Sequence, residues 1–146
     1  MMKTAEQVIE ENKIHREDIK KSMEIASAIL QYKGQIHDID KNDKHNAEIL
    51  AEAINSDDYS EWAKIHYVDN PHHTQYIMQH KEDINLFDLM ECCADGCVAY
   101  MRRNNTTHTK EEEIEYFKNR GFKLEEAIIM ANTVLVFQDM VKLDKE

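Results

Sequence analysis

Four residues along this chain have the types and the order of a divalent-metal site: His15, the adjacent pair His37-Asp38, and Asp95. Such a site needs neutral imidazoles and ionised carboxylates converging from several elements. Together these four would supply two nitrogen and two oxygen donors, with water in the remaining positions. A cation with open positions can take a phosphate oxygen and lower the pKa of a coordinated water, which is the equipment of hydrolysis at phosphorus. Asp95 makes the strongest case for a compensating cation. It lies inside LFDLMECCADGCVAYM, where Asp88, Glu91 and Asp95 share a face at spacings of three and four. Leu89, Met90, Cys93, Cys97 and Val98 flank that face. A carboxylate in such surroundings is costly to bury unless something positive meets it.

The elements that must position these residues read as helices. Apolar periodicity predicts an all-α, compact, single-domain bundle of about six or seven helices over 1–146. One proline and three glycines leave little turn chemistry for a many-stranded sheet. The first helix is expected over 4–32, with a break near Asn12 and a stop at Gly34; His15, Ile19, Ser22, Ala26, Ile29 and Leu30 form one stripe. A second stretch starts at HDIDK and restarts after Asp43, with Ile49, Leu50, Ala53 and Ile54 inward. Asp57-Asp58 opens a third, with Tyr59, Trp62 and His66 inward. Asn70 is read as an N-cap with Pro71 first in the next helix, which then begins with His72-His73. Further helices are expected from Asn85 to Arg103, from the capping box at Thr109 to Arg120, with Gly121 as its stop, and from Lys123 to Lys142. The last turns Leu124, Ala127, Ile128, Ala131, Val134, Leu135 and Val141 inward.

Composition excludes several function classes. The formal net charge is −11, and no basic run exceeds Arg102-Arg103, so binding of long duplex nucleic acid is not expected. A small phosphorylated substrate remains compatible, because a bound cation inverts the local field. No apolar run reaches the roughly 20 residues of a membrane span. The start MMKTAEQVIEEN lacks a signal-peptide core, so a cytoplasmic protein is expected. Cys92, Cys93 and Cys97 have neither disulfide nor zinc-knuckle spacing and read as reduced, packed thiols, with a Cys93/Cys97 zinc site as the weaker alternative.

The order His, His-Asp, Asp on an all-helical chain resembles the HD-domain metal-dependent phosphohydrolase superfamily. The resemblance rests on IHREDIKKSMEIA around His15, IHDIDK around His37-Asp38 and LMECCADGCVA around Asp95, and covers about residues 10–103. The helices over about 109–143 have no counterpart in it. The segment IHYVDNPHHTQYI and the HD-x-x-K string ending in Lys41 are similar to an uncharacterised bacterial and phage branch, from which Gly96 departs at a position where an aromatic residue is expected. The resemblance implies a first metal on His15, His37, Asp38 and Asp95. It implies a second metal, or a substrate phosphate, at His66 and one of His72 and His73, with His73 preferred as ligand and His72 at the phosphate. Lys41 would neutralise phosphate charge, and Asp38 or Asp40 would orient the attacking water. The expected cofactor is one or two divalent ions among Mn, Fe, Mg, Zn and Co. The expected substrate is a small phosphoester, a nucleotide or a nucleotide-derived molecule, with room for a homo-oligomer.

Each residue also has a plainer reading. A histidine on an apolar helix face is usually a hydrogen-bonded core residue, and His37-Asp38 could merely start a helix, with Asp38 favoured by the dipole. His72-His73 could serve only as a cap, and Asp88 and Glu91 as solvated or supporting acids. His45, His80 and His108 read as surface residues. The function alternative is a catalytically silent nucleotide- or partner-binding module, and a purely structural helical protein would show an exposed apolar helix face.

Overall fold

The computed structural model describes residues 3–143, and side chains as far as residue 140. Among the described residues there are seven α-helices, one short 3-10 helix and no strand. The chain divides into two compact units, Met1–His37 and Asp38–Glu146. No described helix is long and apolar enough to cross a membrane.

The first unit is one helix, α1 (Ala5–Ile36). Thr4 caps it: its hydroxyl accepts from the Gln7 amide at 3.3 Å, and the Gln7 side chain accepts from the Thr4 amide at 2.9 Å. The helix runs unbroken through Asn12 and through Gly34, against the break and the stop expected there. Neither residue ends a helix by itself. Each costs at most about 1 kcal/mol relative to Ala, and Gly34 is not among the residues with positive φ that would mark a C-terminal turn. His15, Ile19, Ser22, Ala26 and Ile29 therefore do share a face of one continuous helix.

The second unit opens with the 3-10 helix Ile39–Asn42, followed by α2 (Lys44–Ser56) and α3 (Ser60–His66). Asp43 caps α2 by accepting from the Asn46 amide at 3.1 Å. Ala53 is buried as expected, whereas Ile54 is 58% and Tyr59 40% exposed. Ile54 lies about 100° around the helix from Ala53, beyond the inward stripe. Tyr59 is the N-cap residue of α3, outside its packed face. Then come α4 (Thr74–Gln79), α5 (Leu86–Asn104), α6 (Lys110–Lys118) and α7 (Leu124–Leu143). Asn85 and Thr109 start α5 and α6 with complete capping boxes.

The core forms where α5 and α6 pack on α7, joined by Ile77 of α4. Ala127 and Ala131 are fully buried and let α7 approach closely, and Phe117 meets Phe122 edge to face at 5.6 Å. Gly121, at φ 95°, makes the turn after α6 that a side chain would strain. Ile128 and Leu135 are half-buried. Leu124 is 52% exposed because it begins its helix, and Val141 lies outside the residues whose side chains are described.

All three cysteines are free and buried in this core. Cys93 faces the Met130 carbonyl at 3.6 Å and Cys97 the Met101 sulfur at 3.7 Å, as packed thiols do. Burial pushes the Cys93 thiol up to about 12, and raises Cys92 as well. Since the thiolate is the reactive form, iodoacetamide at neutral pH should label the native protein at least ~100-fold more slowly than the urea-unfolded chain. Mass spectrometry of the timed reaction checks this, and rapid native labelling would contradict the packing.

Candidate metal centre

The site in the second unit starts from a strained backbone position. Asp38 has φ 54° and ψ 25°, the left-handed region, which costs roughly 1 kcal/mol for an ordinary residue and least for Asp and Asn. From there one carboxylate oxygen, Oδ2, pairs with Lys41 Nζ one turn on. The other, Oδ1, lies 3.2 Å from His66 Nε2 and 3.3 Å from His72 Nε2. Two imidazoles thus meet the same oxygen.

The opposite nitrogens of both rings are held by other acids. His66 Nδ1 is 2.6 Å from Asp40 Oδ2, and His72 Nδ1 is 3.3 Å from Glu91 Oε1. An ionised carboxylate only accepts, so a ring proton on Nδ1 of each histidine satisfies these contacts and turns the Nε2 lone pairs to a cation held beside Asp38 Oδ1. This is the outer arrangement by which carboxylates orient metal-binding histidines.

Local sequence explains why the histidines are there. The expected helix start at Asn70-Pro71 does not form; α4 begins only at Thr74, with His73 as its N-cap residue. Asn70 instead donates from Nδ2 to the His66 carbonyl at 2.7 Å and to Asp40 Oδ2 at 3.4 Å, closing the end of α3. Pro71 cannot continue a helix ladder at that turn. His72 and His73 consequently lie in a tight connection, their ring centroids 4.3 Å apart. Trp62 stacks on His66 at 4.5 Å and 22°.

Asp38, His66, His72 and His73 offer four donor atoms that all lie within 4.8 Å of one another, so this group can hold a metal ion. The chemistry of the set fits one. The Nε2 atoms of His66 and His73 are buried without a hydrogen-bond partner, a costly state that coordination relieves. Burial, with His72 and His66 beside it, lowers the His73 imidazole to about 4, so it is neutral at pH 7, as a ligand must be.

No protein family, no curated protein and no solved structure matches this chain.

Of the residues singled out by sequence, the second unit gathers Asp38, His66, His72 and His73, with Asp40 and Lys41 touching the group. His72, expected at a phosphate, stands beside His73 in the group that could hold a metal ion. Asp95 lines the same cavity as His72 and His73, and its charge acts on His73. His15 lies within α1 and His37 is its C-cap residue, both in the first unit. Asp88 is buried as the capping-box partner of the Asn85 amide at 3.1 Å, a structural task. Sequence reasoning did not single out Trp62 as a support for His66 or Asn70 as the lock on the turn, and it placed His108 at the surface. His108 is only 18% exposed and bonded to Glu113. The cavity beside the cluster measures about 330 Å³, within the range of small-ligand sites, and Tyr67, Tyr100, Arg103 and Arg120 also line it.

Proposed function

We propose that this chain is a metal-dependent phosphohydrolase of the HD type, acting on a small phosphoester of nucleotide size. The observation that carries the reading is the double support of the histidines: His66 and His72 each present Nε2 to Asp38 Oδ1 while Asp40 and Glu91 hold their Nδ1 atoms. Acids placed behind imidazoles in this way orient ligands, and a merely structural histidine needs only one such partner. When bound, a divalent cation supplies Lewis acidity toward a phosphate oxygen and acidifies water. Three imidazoles with one carboxylate favour Mn, Fe, Co or Zn over Mg. Asp38 and Asp40 orient water and accept its proton. Lys41, held beside Asp38, brings the positive charge that a phosphate needs in a chain of net charge −11. The cavity next to the cluster receives the rest of the substrate.

Trp62 is the only tryptophan, and it stacks on His66, so metal binding has a built-in reporter. Co²⁺ added to chelator-treated protein should quench its fluorescence in step with the heat of binding measured calorimetrically. The loaded protein should then release phosphate from one or more of a panel of nucleoside phosphates. Binding without turnover across the panel would leave a metal-holding binding module, and absence of binding would remove the reading altogether.

A further inference from the structure

A second pair of titratable groups lines the cavity and is not part of the candidate metal group. Glu113 of α6 is 5% exposed, and its Oε1 takes His108 Nδ1 at 2.6 Å. The His108 ring lies against Tyr100 with centroids 3.4 Å apart. Both members of the pair line the same cavity as His72, His73 and Asp95. Helix capping does not account for them. Thr109 and Glu112 already satisfy the start of α6: the Thr109 hydroxyl accepts from the Glu112 amide, and Glu112 Oε2 accepts from the Thr109 amide at 2.7 Å. Burying Glu113 among Phe117 and the core thiols is costly, and a pair that only clamped the chain would be replaceable by apolar packing.

We propose that His108, held by Glu113, is the general acid of this cavity, protonating the leaving oxygen of a phosphoester whose phosphate faces the histidine cluster. The carboxylate fixes the Nδ1 proton and leaves Nε2 as the nitrogen that takes and gives a proton. In the step, the oxygen of the attacking water bonds to phosphorus and the ester P–O bond breaks. Its electron pair stays on the leaving oxygen, which receives the Nε2 proton and departs as an alcohol. The water gives a proton to solvent through the carboxylates at the cluster, and solvent returns one to His108. The products are the alcohol and inorganic phosphate. This inference rests on the phosphohydrolase reading above and uses a wall of the cavity that the reading does not.

Leaving-group dependence separates a general acid from a structural residue. An alkoxide must be protonated as it leaves, whereas p-nitrophenolate leaves unaided. With metal-loaded full chain, His108→Gln should lower turnover of an alkyl phosphate such as a nucleoside 5′-monophosphate by roughly 10²–10³, the usual contribution of a general acid. Turnover of p-nitrophenyl phosphate should fall less than about 3-fold in the same preparation. Glu113→Gln should reproduce the pattern more weakly. ¹⁵N-histidine spectra without metal or substrate provide a readout apart from activity. They should show His108 protonated at Nδ1, and the Glu113→Gln variant should lose that tautomer preference. Equal loss on both substrates with a folded variant, no loss on either, or an Nε2-protonated neutral His108 would overturn the assignment. If the unmodified protein binds metal but hydrolyses neither substrate, the phosphohydrolase reading fails first and this one with it.

Discussion

Asp38→Asn should lower divalent-metal affinity by at least ~100-fold and abolish phosphate release while leaving the helical circular dichroism unchanged. Asparagine is the informative replacement. It keeps the shape of the side chain and is the other residue that accepts a left-handed backbone, so the turn at φ 54° survives. What is lost is the charge on the oxygen that faces both His66 and His72. Changing an outer partner of a metal-binding histidine costs 10–100-fold in affinity, and that is the range expected for Asp40→Asn. Losing a donor itself should cost no less than the upper end of it. Calorimetric titration with Co²⁺ or Zn²⁺, paired with Trp62 fluorescence, reads both variants. Affinity within threefold of the parent in Asp38→Asn would show that the cluster is a hydrogen-bonded core and not a metal centre.

Helix type and order were legible because they follow from local chemistry. Thr109 with Glu112, and Asn85 ahead of an apolar run, are start signals whose geometry is satisfied within four residues. Helix ends were less legible. Gly34 could be passed because a glycine stops a helix only when it adopts the left-handed turn, which the chain uses instead at Asp57, Asn105 and Gly121. The turn at Asn70 was misplaced for a different reason. Its side chain had two local options, capping the next helix or closing the previous one, and Asp40, thirty residues away, decided it.

The site shows the same division. Residue types and order marked Asp38, with His15, His37 and Asp95, whereas His66 and the His72-His73 pair entered through the family resemblance; the second unit gathers Asp38 with His66, His72 and His73. Which acid stands behind which imidazole depends on packing between elements, so Glu91 behind His72 could not be read from its own helix. His108 was invisible for that reason too. Its partner Glu113 is five residues on, a spacing that carries no pattern, and both line a cavity built by four helices.

The largest effect on stability is expected at Trp62, which joins the packing of α3 to the metal donors. It is 2% exposed, and its ring lies on His66 at 4.5 Å. Trp62→Ala removes the whole indole and leaves a cavity that rigid neighbours fill only in part, a loss of about 3–5 kcal/mol for a buried aromatic residue. In a unit of this size that corresponds to a fall in Tm of roughly 10–20 °C. Trp62→Phe keeps an aromatic face against His66 and should cost less than half as much. The two variants should also differ toward metal. With Phe at 62 the His66 ring stays oriented, so a saturating cation at 100 times its Kd should still add about 2.7 kcal/mol of stability, as in the parent. With Ala the ring loses its support on one face, part of the binding energy is spent in ordering it, and the metal-induced rise in Tm should shrink at equal cation concentration. Thermal scans of the three proteins with and without Zn²⁺ measure both quantities. An undiminished metal-induced shift in a destabilised Trp62→Ala protein would mean that Trp62 packs the core without positioning the ligand. A Tm within about 3 °C of the parent would mean that the indole is not part of the packed interior at all.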